Sequence, residues 1–193
     1  MIKEAIAKGA IMSRKFAAIY LVLWLASAVI AVAHGTGTPE ATLKKVFPDA
    51  TGFTPRKKTL SAAQIKRVEE LSGGKLHAND NPFSFYIATG KSADGSGVLG
   101  MVVLVDAKGP KGLIDMAIGF KRDGSITKIV LVDNKDDAAL GSKAFLDQLA
   151  GKNSKSSLVV GKDVKFTGDG KAAESFLQAV RRGMLLLEAA SSG

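Results

Sequence analysis

Cysteine is absent from this chain of 193 residues, and that one absence removes several chemistries at once. No disulfide can form, no thiolate can hold zinc or an iron–sulfur cluster, and no CxxCH segment can attach haem. The chain is therefore indifferent to the redox state of its compartment. Histidine is nearly as scarce: His34 and His77 are too few for a His-based metal site, and each reads as a solvated or locally bonded side chain. Hydrolytic motifs are missing too, since the chain contains neither GxSxG nor HExxH and no Cys/His pair. Nucleic-acid binding would need a clustered basic stripe with aromatics or a recognition helix, and aromatic residues make up only 6% of the chain.

Positive charge is what the chain has in excess. Its formal net charge is +9, of which Lys3, Lys8, Arg14 and Lys15 against Glu4 place +3 near the N-terminus. The remainder is spread over Lys-rich loops, where the clusters are only short runs: Lys44-Lys45, Arg56-Lys57-Lys58, Lys66-Arg67 and Arg181-Arg182. These read as a solvated basic surface, with attraction for anionic headgroups or an acidic partner as its residual use.

Phe16 to Ala33 is an uncharged apolar run of 18 residues preceded by four basic ones. That length lies at the low end for crossing a hydrocarbon core of ~30 Å, and the positive flank keeps the N-terminus inside. Ala31-Val32-Ala33 before His34 has the A-x-A form of a signal-peptidase site. An uncleaved anchor and a cleaved signal both fit. Residues 1–34 are thus expected to be a membrane anchor or signal segment, 35–46 a linker and short helix, and 47–193 the folded domain. Either way that domain is expected on the periplasmic side of a bacterial cytoplasmic membrane, tethered to it or released into the periplasm.

Helix signals follow the linker. Thr38-Pro39-Glu40 offers an N-cap, a first-turn proline and an acid; Leu43, Val46 and Phe47 share one face. Ser61 to Gln64 is a capping box, and Gly73-Gly74 ends the helix it starts. The middle alternates as β: Phe83–Ala88, Val98–Val105, Leu113–Phe120 and Ile126–Val132 predict a meander of four strands, with a hairpin turn at Asp123-Gly124. In the last strand, Ile126, Lys128, Val130 and Val132 are expected on one face and Thr127, Ile129 and Leu131 on the other. Ile126, Val130 and Val132 should then pack on Leu177 and Val180 of a final helix running from about Gly170 to Ala190. A short helix is expected over Ser142–Ala150. The order predicts an α+β fold: a mainly antiparallel twisted sheet with helices packed on one side of it, plus one N-terminal transmembrane or signal helix.

Two segments could carry chemistry. Asp133, Asp136 and Asp137 cluster in the loop after the hairpin, which is a solvated turn or a ligand-edge loop with Leu140, Gly141, Ser142 and Lys143. Phe166-Thr167-Gly168-Asp169-Gly170-Lys171 opens the last helix, whose free N–H groups suit an anion.

From about Phe47 to Glu188 the chain resembles the FMN-binding domain family. That family includes flavin-bearing subunits of the sodium-translocating NADH:quinone reductase and Rnf complexes, and the N-terminal domain of NosR. The resemblance rests on FPDATGFTPRKKTLS at 47–61, on GMVVLVD from Gly100, on DGSITKIVLVD from Asp123, and on NKDDAALGSK at 134–143, where the family has an ETPGLG-like loop. It implies FMN as cofactor and Asp136, Leu140, Gly141, Ser142, Lys143, Thr167, Gly168, Asp169, Gly170 and Lys171 as cofactor-binding residues. The family signature S/T-G-A-S/T esterifies FMN through its last residue; here it reads Thr167-Gly168-Asp169-Gly170, so the acceptor hydroxyl is missing. Asp169 adds a charge, and two like charges about 4–6 Å apart repel by roughly 3–4 kcal/mol at an effective dielectric of 20. In the other loop the family's Thr, Pro and Gly become Asp137, Ala138 and Ala139. The resemblance thus implies either a membrane-tethered electron-transfer domain with non-covalent FMN, or a flavin-free accessory subunit that keeps the fold. Its partners would be subunits of a membrane-bound redox complex and the membrane itself, with no nucleic acid. A periplasmic binder of small ligands in the same cleft is a third reading. A redox carrier or accessory subunit is expected rather than an enzyme with its own turnover.

Overall fold

The computed structural model describes residues 39–192. The expected anchor or signal, Phe16–Ala33, lies outside the described residues. Among the described residues no helix is long and apolar enough to cross a membrane.

The fold is α+β, as its element order predicts. Helix α1 (Pro39–Val46) leads to strand β1 (Gly52–Lys58), helix α2 (Ala62–Ser72) and strands β2 (Phe83–Thr89), β3 (Val98–Lys108), β4 (Leu113–Phe120) and β5 (Ile126–Asn134). A short helix α3 (Lys143–Leu146) and the long helix α4 (Gly170–Ser191) complete it. The sheet has five strands in the order β1-β2-β3-β4-β5, every neighbouring pair antiparallel. The meander thus has one strand more than the four expected. β1 contains Pro55 and three cationic residues, which weaken its strand signal. As an edge strand it tolerates the proline, and its charges discourage pairing with another sheet.

Two apolar layers hold the sheet. On one face, Val103 and Val105 of β3, Ile114, Met116, Ile118 and Phe120 of β4, and Ile126 and Ile129 of β5 are buried against Val68 of α2 and Phe176, Val180 and Leu186 of α4. On the other, Leu43 and Val46 of α1, with Phe47 and Ala50, cover Ala88, Val102 and Ala117. Helices therefore pack on both faces, not on one. The second packing needs bare backbone beneath it. A Cβ on Gly100 would come within 2.5 Å of the Phe47 ring, and one on Gly119 within 2.3 Å of Val46 Cγ1, so only glycine lets α1 lie this close.

The face assignment of β5 is also corrected. Register shifts between Asp115 and Met116 and between Gly119 and Phe120 break its alternation. A bulge adds one residue to one strand and resets which face its neighbours take. Ile126 and Ile129 both enter the α4 layer, Val130 packs with the α1 layer, and Val132 is exposed. Of the three residues expected to pack on α4, only Ile126 lies in its layer.

Arg182 departs from the solvated surface expected for the Arg181-Arg182 pair. It is only 6% exposed, with Nε 3.2 Å from Asp80 Oδ2 and a terminal nitrogen donating to the Asp106 carbonyl at 2.7 Å.

Candidate functional site

The loop leaving β5 is folded by its own polar side chains. Asn134 Oδ1 accepts from the Asp136 N–H at 3.0 Å, and Asn134 Nδ2 donates to the Asp137 carbonyl at 2.8 Å. Asp136 Oδ2 accepts from the N–H groups of Lys111 (2.6 Å) and Gly112 (3.0 Å), which ties the loop to the β3–β4 turn. Asp137 then caps the 3-10 turn Ala138–Gly141, its Oδ1 accepting from the Ala139 N–H at 2.9 Å. Leu140 is fully buried in the α4 layer and anchors that turn.

The second segment is aimed by aromatic packing. The Phe166 ring lies 4.7 Å from that of Phe145, which lies 5.3 Å from that of Phe176 in α4. This holds the chain just before the helix against the core. Asp169 is the N-cap of α4, accepting from the Lys171 N–H at 2.9 Å, and Gly170 is the first helical residue.

The two segments meet at one bond. Asp137 Oδ2 accepts from the Asp169 N–H at 2.6 Å, across 32 residues of sequence. The donors at Asp169 and Ala139, with the Lys111 charge adding to them, hold the Asp137 carboxyl below its ordinary range. Gly168 lies directly over this carboxylate: a Cβ there would come within 2.3 Å of Asp137 Oδ2 and 2.7 Å of the Phe166 ring.

The residues expected to bind a cofactor are dispersed around this bond. Asp136 is committed to the β3–β4 turn and Leu140 to the core. Lys143 pairs with Asp147 one helical turn on. Gly141, Ser142, Thr167, Gly168, Gly170 and Lys171 are exposed. Asp137, outside the expected set, is the residue that joins the two segments. Its place in an acidic run after a hairpin was visible in the sequence; its partner 32 residues away was not.

Ester attachment of FMN does not fit these residues. Gly170 has no hydroxyl to esterify. The carboxylates of Asp137 and Asp169 sit on N–H groups at the start of α4 that would otherwise face an anion. A cleft of about 370 Å³ lies at the other end of α4, lined by Met101, Arg122, Met184 and Glu188 among others, and none of the candidate residues lines it.

No family model matches the chain, and no curated protein matches it. Among solved structures it is similar to the crystal structure of NqrC from Shewanella oneidensis, with 14% sequence identity, 77% of this chain and 88% of that chain covered, and a TM-score of 0.43.

Proposed function

We propose that the chain is an accessory domain of a membrane electron-transfer complex, built on an FMN-binding type of fold and working without flavin. The observation that carries this reading is the pair of carboxylates at the start of α4: Asp137 on the Asp169 N–H and Asp169 on the Lys171 N–H. They occupy donors that a flavin phosphate would use, and Gly170 removes the ester acceptor beside them. The resemblance at 47–61, 100–106, 123–143 and 167–170 supports the fold type and the redox context. The run Phe16–Ala33 supports attachment to, or export across, the cytoplasmic membrane, with the domain outside. The surface of the domain then does the work, by docking on subunits that carry the redox groups.

A second reading is an electron carrier with non-covalent FMN. One observation favours it: nothing lies within 4 Å of a Cβ built on Gly170, so the first turn of α4 is open to an approaching group. An absorbance spectrum of the full chain purified from its native membranes decides between them. The accessory reading expects no flavin bands and recovery in the membrane or periplasmic fraction. A yellow protein with stoichiometric FMN overturns it in favour of the carrier, and recovery in the cytosol overturns the location.

A further inference from the structure

With or without flavin, we infer that the sheet face shared with α1 is a docking surface for a second copy of this chain: its uncovered half, bearing Leu104, Leu113 and Val132, packs on the same half of a partner copy about a twofold axis.

The two faces of the sheet are covered unequally. α2 and α4 pack on one. On the other, the only helix among the described residues is α1, eight residues and about 12 Å long. β3 alone runs for 11 residues, about 36 Å, so the half of this face toward the β3–β4 turn stays open. The solvated face of an antiparallel sheet normally turns polar, and this one does not. Three of the five large apolar side chains exposed among the described residues stand there: Leu104 (41% exposed), Leu113 (48%) and Val132 (39%). Leu104 lies two residues on from Val102, which α1 covers, and opposite Ala117. Leu113 shares the side of Ala117 by alternation along β4, and Val132 sits at the bulge opposite Asp115 and Met116.

Charge selects the occupant. The chain carries +9 overall, yet the open half is balanced. Asp115 and Asp133 pair across β4 and β5 in one row. Lys108, opposite Leu113, and Lys135, whose N–H donates to the Leu113 carbonyl, form the next row toward the turn. Asp106, in the acid row beside Asp115, has its carboxylate turned to His77. A surface for anionic lipid or an acidic protein would carry an excess of cations. Adjacent rows of opposite sign suit a copy of themselves. A twofold axis between the rows and perpendicular to the strands lays the acid row of each copy over the lysine row of the other, at the ~10 Å spacing of packed sheets. The open half is small for an interface, so the dimer is a weak one.

The test is light scattering of the full chain in detergent, with the detergent mass subtracted, from about 5 to 500 µM. The parent should pass from monomer to dimer within that range. Leu104→Gln with Leu113→Gln should raise the dissociation constant at least about tenfold. Lys108→Glu with Lys135→Glu, which sets acid over acid, should do the same. Leu71→Gln with Val159→Gln removes exposed apolar side chains elsewhere and should leave the dimer unchanged. A parent that stays monomeric overturns the inference, and Leu104-dependent binding of that monomer to phosphatidylglycerol vesicles would make lipid the occupant instead. A dimer that survives both face variants, or that the Leu71 and Val159 changes dissociate, also overturns it, since the contact then lies elsewhere in the chain. Should the Leu104 and Leu113 variant fail to fold, the Lys108 and Lys135 variant still decides.

Discussion

Arg182 is the side chain on which a buried polar cluster turns. Its Nε lies 3.2 Å from Asp80 Oδ2. One terminal nitrogen donates to the Asp106 carbonyl at 2.7 Å, and the other lies 3.2 Å from His77 Nε2. A guanidinium can only donate, so His77 Nε2 accepts and the imidazole proton sits on Nδ1, 3.1 Å from Asp106 Oδ2. Asp106 lies beyond Val103, the last residue of β3 that pairs with β2, and its carbonyl accepts from Arg182 there. Replacing Arg182 by Met removes the counter-charge of Asp80, itself only 7% exposed, and should cost about 3–5 kcal/mol in urea unfolding. Adding Asp80→Asn to that variant should return part of the loss. A double variant as unstable as the single one would show that the two charges do not depend on each other. Nothing in the dipeptide Arg181-Arg182 distinguishes a solvated cation from a buried one. The distinction comes from acceptors delivered by the 77–80 turn and by β3, which are remote in sequence.

At the scale of elements, helix ends were the most legible feature because a cap is local chemistry. The capping box of Ser61 and Gln64 and the left-handed Gly73 stand where the residues place them, and α4 starts at Gly170. Strand faces were less legible. The bulge opposite Gly119 and Phe120 brings Ile126 and Ile129 to the same layer, and a bulge leaves no mark in a period-2 pattern except its failure. β1 hid behind Pro55 and its cations, since edge position is a property of the sheet and not of the segment. The placement of α1 against bare backbone gives the element-scale prediction. Gly119→Ala puts a methyl 2.3 Å from Val46 Cγ1 and should destabilise by about 1–3 kcal/mol through overpacking. Gly170→Ala, which meets open space, should leave the urea midpoint nearly unchanged. A neutral Gly119→Ala would place α1 elsewhere than on this face.

At the scale of the whole molecule, distant parts of the chain meet at the start of α4. The sheet carries the β5–α3 loop to the start of α4, so Asp137 and the adjacent pair Asp169-Gly170, remote from it in sequence, form one local arrangement. The resemblance picked out both segments. It did not reveal that one of the substituted residues would grasp the other segment, because that depends on the reach of a side chain across the fold. This sets the order in which a flavin site would be rebuilt. Asp169→Ala with Gly170→Thr recreates T-G-A-T and supplies the hydroxyl, and Gly170 has room for it. The exchange gives up an N-cap worth about 0.5–2 kcal/mol. In that double variant Asp137 still holds the N–H at position 169, so co-expression with a flavin transferase should leave the denatured gel band without flavin fluorescence. Adding Asp137→Thr, the residue type the resembled family has in that loop, removes that carboxylate and frees the Asp169 N–H for a phosphate. The triple variant should then take up flavin covalently. Equal labelling of double and triple variants would show that Asp137 is no obstacle. Labelling of neither, with the fold intact by circular dichroism, would mean that side chains have filled the flavin cleft beyond its phosphate end, since a packed interior has few voids larger than a water molecule.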